Sequence, residues 1–166
     1  MKLAQRALLL LAILIGCVGC DQVTKSAAKA FLPAAQVRSF AGDSVRLQLA
    51  HNSGAFLSLG ASLPEHVRAG LLSFGVGCVL LGLLAYALFA RNLDLPSTMA
   101  LAMIVGGGAS NLADRLMYGG YVVDFLNLGV GGLRTGIFNV ADVAITAGTL
   151  WLLLNSFRQK GAQADR

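Results

Sequence analysis

IFNVADVAITAGTLWLLLNSF, residues Ile137–Phe157, runs twenty-one positions with a single acid, Asp142, and no base. A helix rises about 1.5 Å per residue, so this stretch alone can cross a hydrocarbon core roughly 30 Å thick. Ala69–Ala90 runs twenty-two residues without a charge, and Leu95–Leu112 runs eighteen. Across all 166 residues, 56% are hydrophobic and 13% charged, with a mean hydropathy of +0.70. Soluble domains carry about 25% charged residues, so the chain reads as a polytopic membrane protein.

The first apolar stretch admits two readings. Lys2 and Arg6 precede Ala7–Cys20, fourteen apolar residues before Asp21. A basic start, a short apolar run and small residues also describe a cleaved signal peptide. Leu14-Ile15-Gly16-Cys17 and Val18-Gly19-Cys20 resemble lipobox cleavage sites, which would make the chain a lipid-anchored protein. The other reading is one helix running through Asp21 and Lys25, an i, i+4 pair, to Phe31, stopped by Pro33.

The expected fold is a mainly α membrane protein with four transmembrane helices, at about 7–31, 69–90, 95–112 and 137–157, in one domain covering 1–166. An exterior β-rich loop, 36–62, separates the first two helices. Within it, Gln36–Phe40 and Val45–Ala50 read as strands around the turn Ala41-Gly42-Asp43-Ser44. Tyr121–Leu128 is a further β-like run, broken by Gly129-Val130-Gly131-Gly132. The net charge of +5 is spread singly along the chain, which argues against a nucleic-acid partner and for membrane-surface charges. Lys2, Arg6, Arg91, Arg158, Lys160 and Arg166 favour an N-in, C-in orientation. Cys17, Cys20 and Cys78 lie in apolar runs and read as filler rather than as a metal or redox site.

Threading the chain back and forth gathers its acids and amides at one membrane edge. Asp21 and Lys25 leave the first helix there, and Asn52 lies in the first exterior loop. Asn111, Asp114 and Arg115 end the third helix, Asp124 lies in the second exterior loop, and Asn139 and Asp142 open the fourth. An acid within a membrane segment is costly and marks a functional site by default. For Asp142 the alternative is a structural acid paired with Arg115 or Lys25. Asn139 shares its helical face and reads either as the helix N-cap or as a carboxamide donor to a carboxylate. Asp124, set in Val122-Val123-Asp124-Phe125-Leu126, is the natural partner for Asp142; its alternative is an exposed loop acid. Two carboxyls at one site share a proton, and one can activate water while the other holds it. His51 and His66 have no metal-ligand spacing, no nucleophile has a triad arrangement, and neither metal nor cofactor is expected. Gly106-Gly107-Gly108 lacks the lysine of a phosphate loop and reads as a close helix contact. A small transporter with an intramembrane acid is the non-enzymatic alternative, and it calls for polar residues at several depths.

Five blocks carry a family resemblance. Asp21-Gln22-Val23-Thr24-Lys25, Asn52-Ser53-Gly54-Ala55-Phe56, Gly107-Gly108-Ala109-Ser110-Asn111-Leu112-Ala113-Asp114-Arg115, Val122-Val123-Asp124-Phe125 and Phe138-Asn139-Val140-Ala141-Asp142 resemble, in order and spacing, the signature blocks of signal peptidase II. Ser110 stands where many relatives have glycine. The resemblance implies four transmembrane helices, a small extracytoplasmic β-cradle, a periplasmic helix, and an aspartic dyad at Asp124 and Asp142. It further implies that Asn52, Asn111, Arg115 and Asn139 hold substrate backbone or dyad geometry. Asp21, Lys25 and Asp114 would support the site, and Gly54 would shape the adjoining loop. The implied partners are diacylglyceryl-modified prolipoprotein signal peptides and membrane lipid. The expected setting is a monomer in the bacterial inner membrane, with its active site near the periplasmic face.

Overall fold

The computed structural model describes residues 1–33, 36–54, 64, 66–67 and 70–164, with side chains through residue 158. Helix α1 is Leu3–Phe31, and it runs unbroken through Cys17, Cys20, Asp21 and Lys25. It begins four residues before the expected start, where the Gln5 side chain accepts a hydrogen bond from the Lys2 N–H at 3.1 Å. It ends ahead of Pro33, with Leu32 extended. Helix α2, Val76–Phe89, follows a π-helical turn over Gly70–Gly75. The expected start of this helix at residue 69, the exterior loop beyond residue 54 and the implied periplasmic helix lie outside the described residues.

Helix α3, Leu95–Met117, is capped by Asp94, whose side chain accepts from the Ser97 N–H at 3.0 Å. It extends five residues beyond the expected end at Leu112, because Asn111, Asp114 and Arg115 all find polar partners while still helical. Gly119 and Gly120 then adopt φ of 66° and 96°, a backbone that L side chains rarely take, and turn the chain into a strand. Helix α4 is Val140–Ala164, starting later and ending later than expected.

Among the described residues, three spans are long and apolar enough to cross a membrane: Leu3–Phe31, Gly70–Phe89 and Val140–Arg158. Helix α3, the fourth long helix, is not among them, and its place in the bundle explains why. It packs against α1, α2 and α4, and the protein encloses most of its surface. A helix sheathed in this way does not need a lipid-facing apolar surface. The three glycines at its centre each meet a different neighbour. A Cβ on Gly106 would fall 2.8 Å from Cys17 Cβ of α1, one on Gly107 would fall 2.5 Å from the Ala141 carbonyl of α4, and one on Gly108 would fall 2.5 Å from the Leu80 side chain of α2. The close-packing reading of this run therefore holds, and its glycines are what bring four helices together.

A four-stranded antiparallel sheet in the order β1-β2-β3-β4 sits at one end of the bundle. Strands β1 (Arg38–Phe40) and β2 (Val45–Asn52) form the expected hairpin about the 41–44 turn. Strand β3 (Val122–Val130) pairs with β2, placing Asn52 opposite Val122 and Ala50 opposite Asp124, with a bulge between Leu47 and Ala50. Strand β4 (Leu133–Arg134) was not foreseen. Phe138 adds a bridge to β3: its N–H donates to Leu126 O at 2.8 Å, and its carbonyl accepts from the Leu126 N–H at 2.8 Å. This bridge ties the start of α4 to the strand that carries Asp124. The sheet rests on the end of α1 through Ala28, Leu32 and Phe125, packed with Leu47, Leu49 and Val140. Between the two ends of the bundle, the buried side chains include Leu10, Ala87, Ala100, Leu101, Ala102 and Val105, with Ser97 and Thr98 buried near the start of α3. The graded polar pathway that a transporter calls for is missing among the described residues.

Gly107→Ala should destabilise the protein by about 1–3 kcal/mol through overpacking against Ala141. Gly82→Ala, at an open position within α2, should leave it unchanged or raise its stability by up to about 1 kcal/mol. Thermal unfolding of both variants in detergent checks this; equal behaviour would show that the glycines do not set the helix spacing.

Candidate active site

Asp142 lies in the first turn of α4 and forms a reciprocal cap with Asn139. The Asn139 Oδ1 accepts from the Asp142 N–H at 2.9 Å, and Asp142 Oδ2 accepts from the Asn139 N–H at 3.2 Å. The amide nitrogen of the same side chain points the other way. It donates to Asp124 Oδ1 at 2.6 Å and to Asn111 Oδ1 at 3.1 Å. Asn139 is thus both helix cap and carboxylate donor. Asn111 completes the link, its Nδ2 donating to Asp142 Oδ1 at 3.0 Å.

Asp124 is 2% exposed, which removes the reading of it as an exposed loop acid. Its second oxygen, Oδ2, accepts from Asn52 Nδ2 at 3.0 Å. The Asn52 Oδ1 in turn accepts from the Gly54 N–H at 3.0 Å, folding the loop back on itself. Arg115 holds that loop to α3: its Nη2 donates to Gly54 O at 2.8 Å, and its Nη1 to Asn111 O at 3.3 Å. Asp142 has asparagine partners rather than the ion pair with Arg115 or Lys25 that a structural acid would make.

Behind the two acids lies a buried ion cluster. Lys25, 1% exposed, directs its ammonium at Asp21 Oδ2 (2.6 Å), Asp114 Oδ2 (2.8 Å) and Asn111 Oδ1 (3.0 Å). A lysine has three donors, so its hydrogen-bonding capacity is filled. Asp21 Oδ1 also accepts from the Ala141 N–H at 2.9 Å, placing a negative charge on the N-terminus of α4. Asp114 Oδ2 accepts from the Val123 N–H at 3.0 Å, fixing β3 beside Asp124. All ten residues singled out in the sequence therefore belong to one connected hydrogen-bond network.

Two members of the network went unassigned in the sequence. Gln22 Nε2 donates to Asp114 Oδ1 at 2.7 Å and to Ser110 Oγ at 3.0 Å, while Ser110 Oγ donates to Asp21 Oδ2 at 2.7 Å. Gln22 had a visible signal, an amide next to Asp21 in an apolar helix. Ser110 adds a hydroxyl that the Asp21 carboxylate uses. The backbone donors at Val123 and Ala141 carry no sequence signal.

Two apolar grooves meet at Asp142. One, about 330 Å³, is walled by Phe138, Val143, Ala147 and Leu150; the other, about 370 Å³, passes Leu72, Val76, Ile145 and Arg115. Thr146 and Leu150, one and two turns along α4 from Asp142, line both. An extended apolar segment lying in either groove would pass the Asp142 carboxyl.

Burial pushes the Asp124 carboxyl up to about 6; the neighbouring Asp142 charge acts in the same direction, and the Asn52 and Asn139 donors and the Lys25 charge act against it. A carboxyl in the unfolded chain titrates near 3.9, so this group's contribution to stability is complete below about pH 4. It is lost as the pH rises through about 6.

Fold and site together define a membrane protein with one buried and one half-buried carboxyl group, linked through Asn139 and Asn111 beside apolar grooves. The sequence profile described as Signal peptidase (SPase) II matches residues 13–158, and the chain belongs to that family. A lipoprotein signal peptidase of Burkholderia mallei (strain SAVP1) is 35% identical over 118 residues, 70% of this chain and 69% of that protein. One from Burkholderia vietnamiensis (strain G4 / LMG 22486) is 34% identical over 113 residues, covering 68% and 66%. The fold matches two bacterial membrane enzyme structures obtained by the in meso method. One, at 2.3 Å, has a TM-score of 0.79 and 21% identity, covering 91% of this chain and 88% of that one; the other, at 1.9 Å, has 0.75 and 22%, covering 88% and 90%.

Asn52→Ala removes a donor that favours the ionised carboxylate, so the titration of Asp124 should move upward. Isotope-edited infrared spectroscopy can follow the carboxyl band that disappears in Asp124→Asn. The midpoint should lie near 6 in the unmodified protein and higher in Asn52→Ala. A downward shift would contradict the assignment of Asn52 as the donor.

Proposed function

We propose that the chain is an intramembrane aspartic endopeptidase that removes the signal peptide from prolipoproteins, cleaving before the diacylglyceryl-modified cysteine. The observation that carries this reading is the Asn139 side chain, which donates to Asp124 while capping Asp142. Membership of the signal peptidase II family supports the substrate class.

In this reading one carboxyl of the dyad is ionised and the other retains a proton. The charge balance supports such sharing. Among the described residues, Asp21, Asp114, Asp124 and Asp142 together face only Lys25 and Arg115, and a low-dielectric site disfavours the excess negative charge. The ionised carboxylate takes a proton from a water molecule, whose oxygen attacks the scissile carbonyl. The protonated partner then donates to the departing amide nitrogen, and the dyad returns to its single-proton state. No covalent enzyme intermediate is involved.

Asn139 and Asn111 hold the two carboxyls in register, and Asn52 sets the free face of Asp124. Arg115 is a positioning residue that anchors the Gly54 loop over the site. The Asp21–Lys25–Asp114 cluster acts from behind, its two carboxylates bridged by one ammonium and tied to α4 and β3. The apolar grooves along α4 would take the signal peptide and the acyl chains of the modified cysteine. The protein would work as a monomer in the bacterial inner membrane, N-in and C-in, with this end at the periplasmic face.

Asp124→Asn and Asp142→Asn should each lower cleavage of a diacylglyceryl-modified preprotein by at least about a thousandfold, the scale of lost acid–base catalysis. Both variants should still insert in the membrane. Wild-type turnover in Asp142→Asn would rule the mechanism out.

A further inference from the structure

A second charged feature lies at the opposite end of the bundle. Arg6 of α1 is 7% exposed. Its guanidinium donates to Leu88 O at 3.4 Å, to Leu93 O at 3.2 Å and to Ala90 O, the carbonyls that close α2 and lead into α3. Arginine has five N–H donors, so these three bonds leave two over. One of the two, at Nε, is buried without a hydrogen-bond partner among the described residues. No ion pair of Arg6 occurs among the described residues either. The negative end of the α2 dipole offsets only part of its charge. A buried cation with unused donors and no carboxylate is under-compensated for the environment it occupies.

Arg6 lines a cavity of about 230 Å³ together with Met1, Leu3, Leu88, Phe89 and Arg91. Leu3 and Phe89 are exposed on the outer surface of the bundle, and Arg91 is exposed in the turn after α2. The cavity therefore combines two guanidinium groups with an apolar wall at a membrane edge.

We propose that this cavity binds the phosphate of an anionic glycerophospholipid, with Arg6 and Arg91 at the head group and Leu3, Leu88 and Phe89 along an acyl chain. Guanidinium groups suit phosphate oxygens, and basic pockets among membrane helices hold anionic head groups. A zwitterionic lipid carries the same phosphate but brings an ammonium next to two guanidiniums, so it is disfavoured. Free phosphate lacks the chain that the apolar wall would cover. The site lies at the far end from the carboxyl dyad and does not depend on the peptidase reading.

Native mass spectrometry of the full chain, with phosphatidylglycerol and phosphatidylcholine of matched chains in equal amounts, tests the proposal. The unmodified protein should retain phosphatidylglycerol selectively. Arg91→Ala, at an exposed position, should lower that retention about fivefold, the scale of one basic residue near an anionic surface. Arg6→Gln should abolish the preference; should it fail to fold, Arg91→Ala decides. Equal retention of the two lipids, or unchanged retention in Arg91→Ala, overturns the proposal. Displacement of the bound lipid by millimolar inorganic phosphate would make this a free-phosphate site and overturn the lipid assignment.

Discussion

The carboxamide of Asn139 is the joint on which this molecule turns. Its oxygen caps α4 at the Asp142 N–H, and its nitrogen reaches Asp124 of β3 and Asn111 of α3. One side chain thereby sets the entry angle of a membrane helix and the relative placement of two acids from separate segments. An asparagine suits the position because it offers an acceptor and a donor group on one rigid plane. Aspartate there would lack the donor and add a fifth carboxylate to the cluster.

That joint is useful only if the segments meeting at it are held fixed, and two devices hold them. The glycines at 106–108 let α3 approach α1, α4 and α2 closely, so that Asn111 and Asp114 come within reach of the other helices. The Lys25 ammonium then binds α1 to α3 through Asp21 and Asp114, while those carboxylates take backbone N–H groups from α4 and β3. Each buried charge in the cluster has its lone pairs or protons used, the condition under which a buried ion cluster is tolerated. The polar network is concentrated around Asp124 and Asp142, whereas away from it the grooves along α4 are lined mostly by apolar side chains and threonine.

Much of this was legible before any coordinates. Span length and composition gave the membrane class, and the alternation through turns put the polar residues at one edge. What the sequence left open were long-range geometric facts. Asn139 could be read as cap or as donor, and only its position between α4 and β3 shows that it is both. Helix α3 was expected to stop near Leu112, where its uncharged run ends; the pairing of Asn111, Asp114 and Arg115 with Lys25, Asp142 and Gly54 keeps the chain helical beyond it. The bridge at Phe138 and the donors at Val123 and Ala141 are backbone groups, which look the same at every position in a sequence. The lipobox-like segment reads locally as a cleavage site, and in the fold its Cys17 packs mid-helix against Gly106.

The central claim is that Asp124 and Asp142 act as one unit around a single water. Residues that act as a unit are strongly non-additive when removed together. The most direct measurement is the single-turnover cleavage rate of Asp124→Asn/Asp142→Asn beside each single variant, on a diacylglyceryl-modified preprotein. A double variant no slower than the slower single variant is the predicted result. Losses that multiply, with each carboxyl contributing separately, would contradict the account.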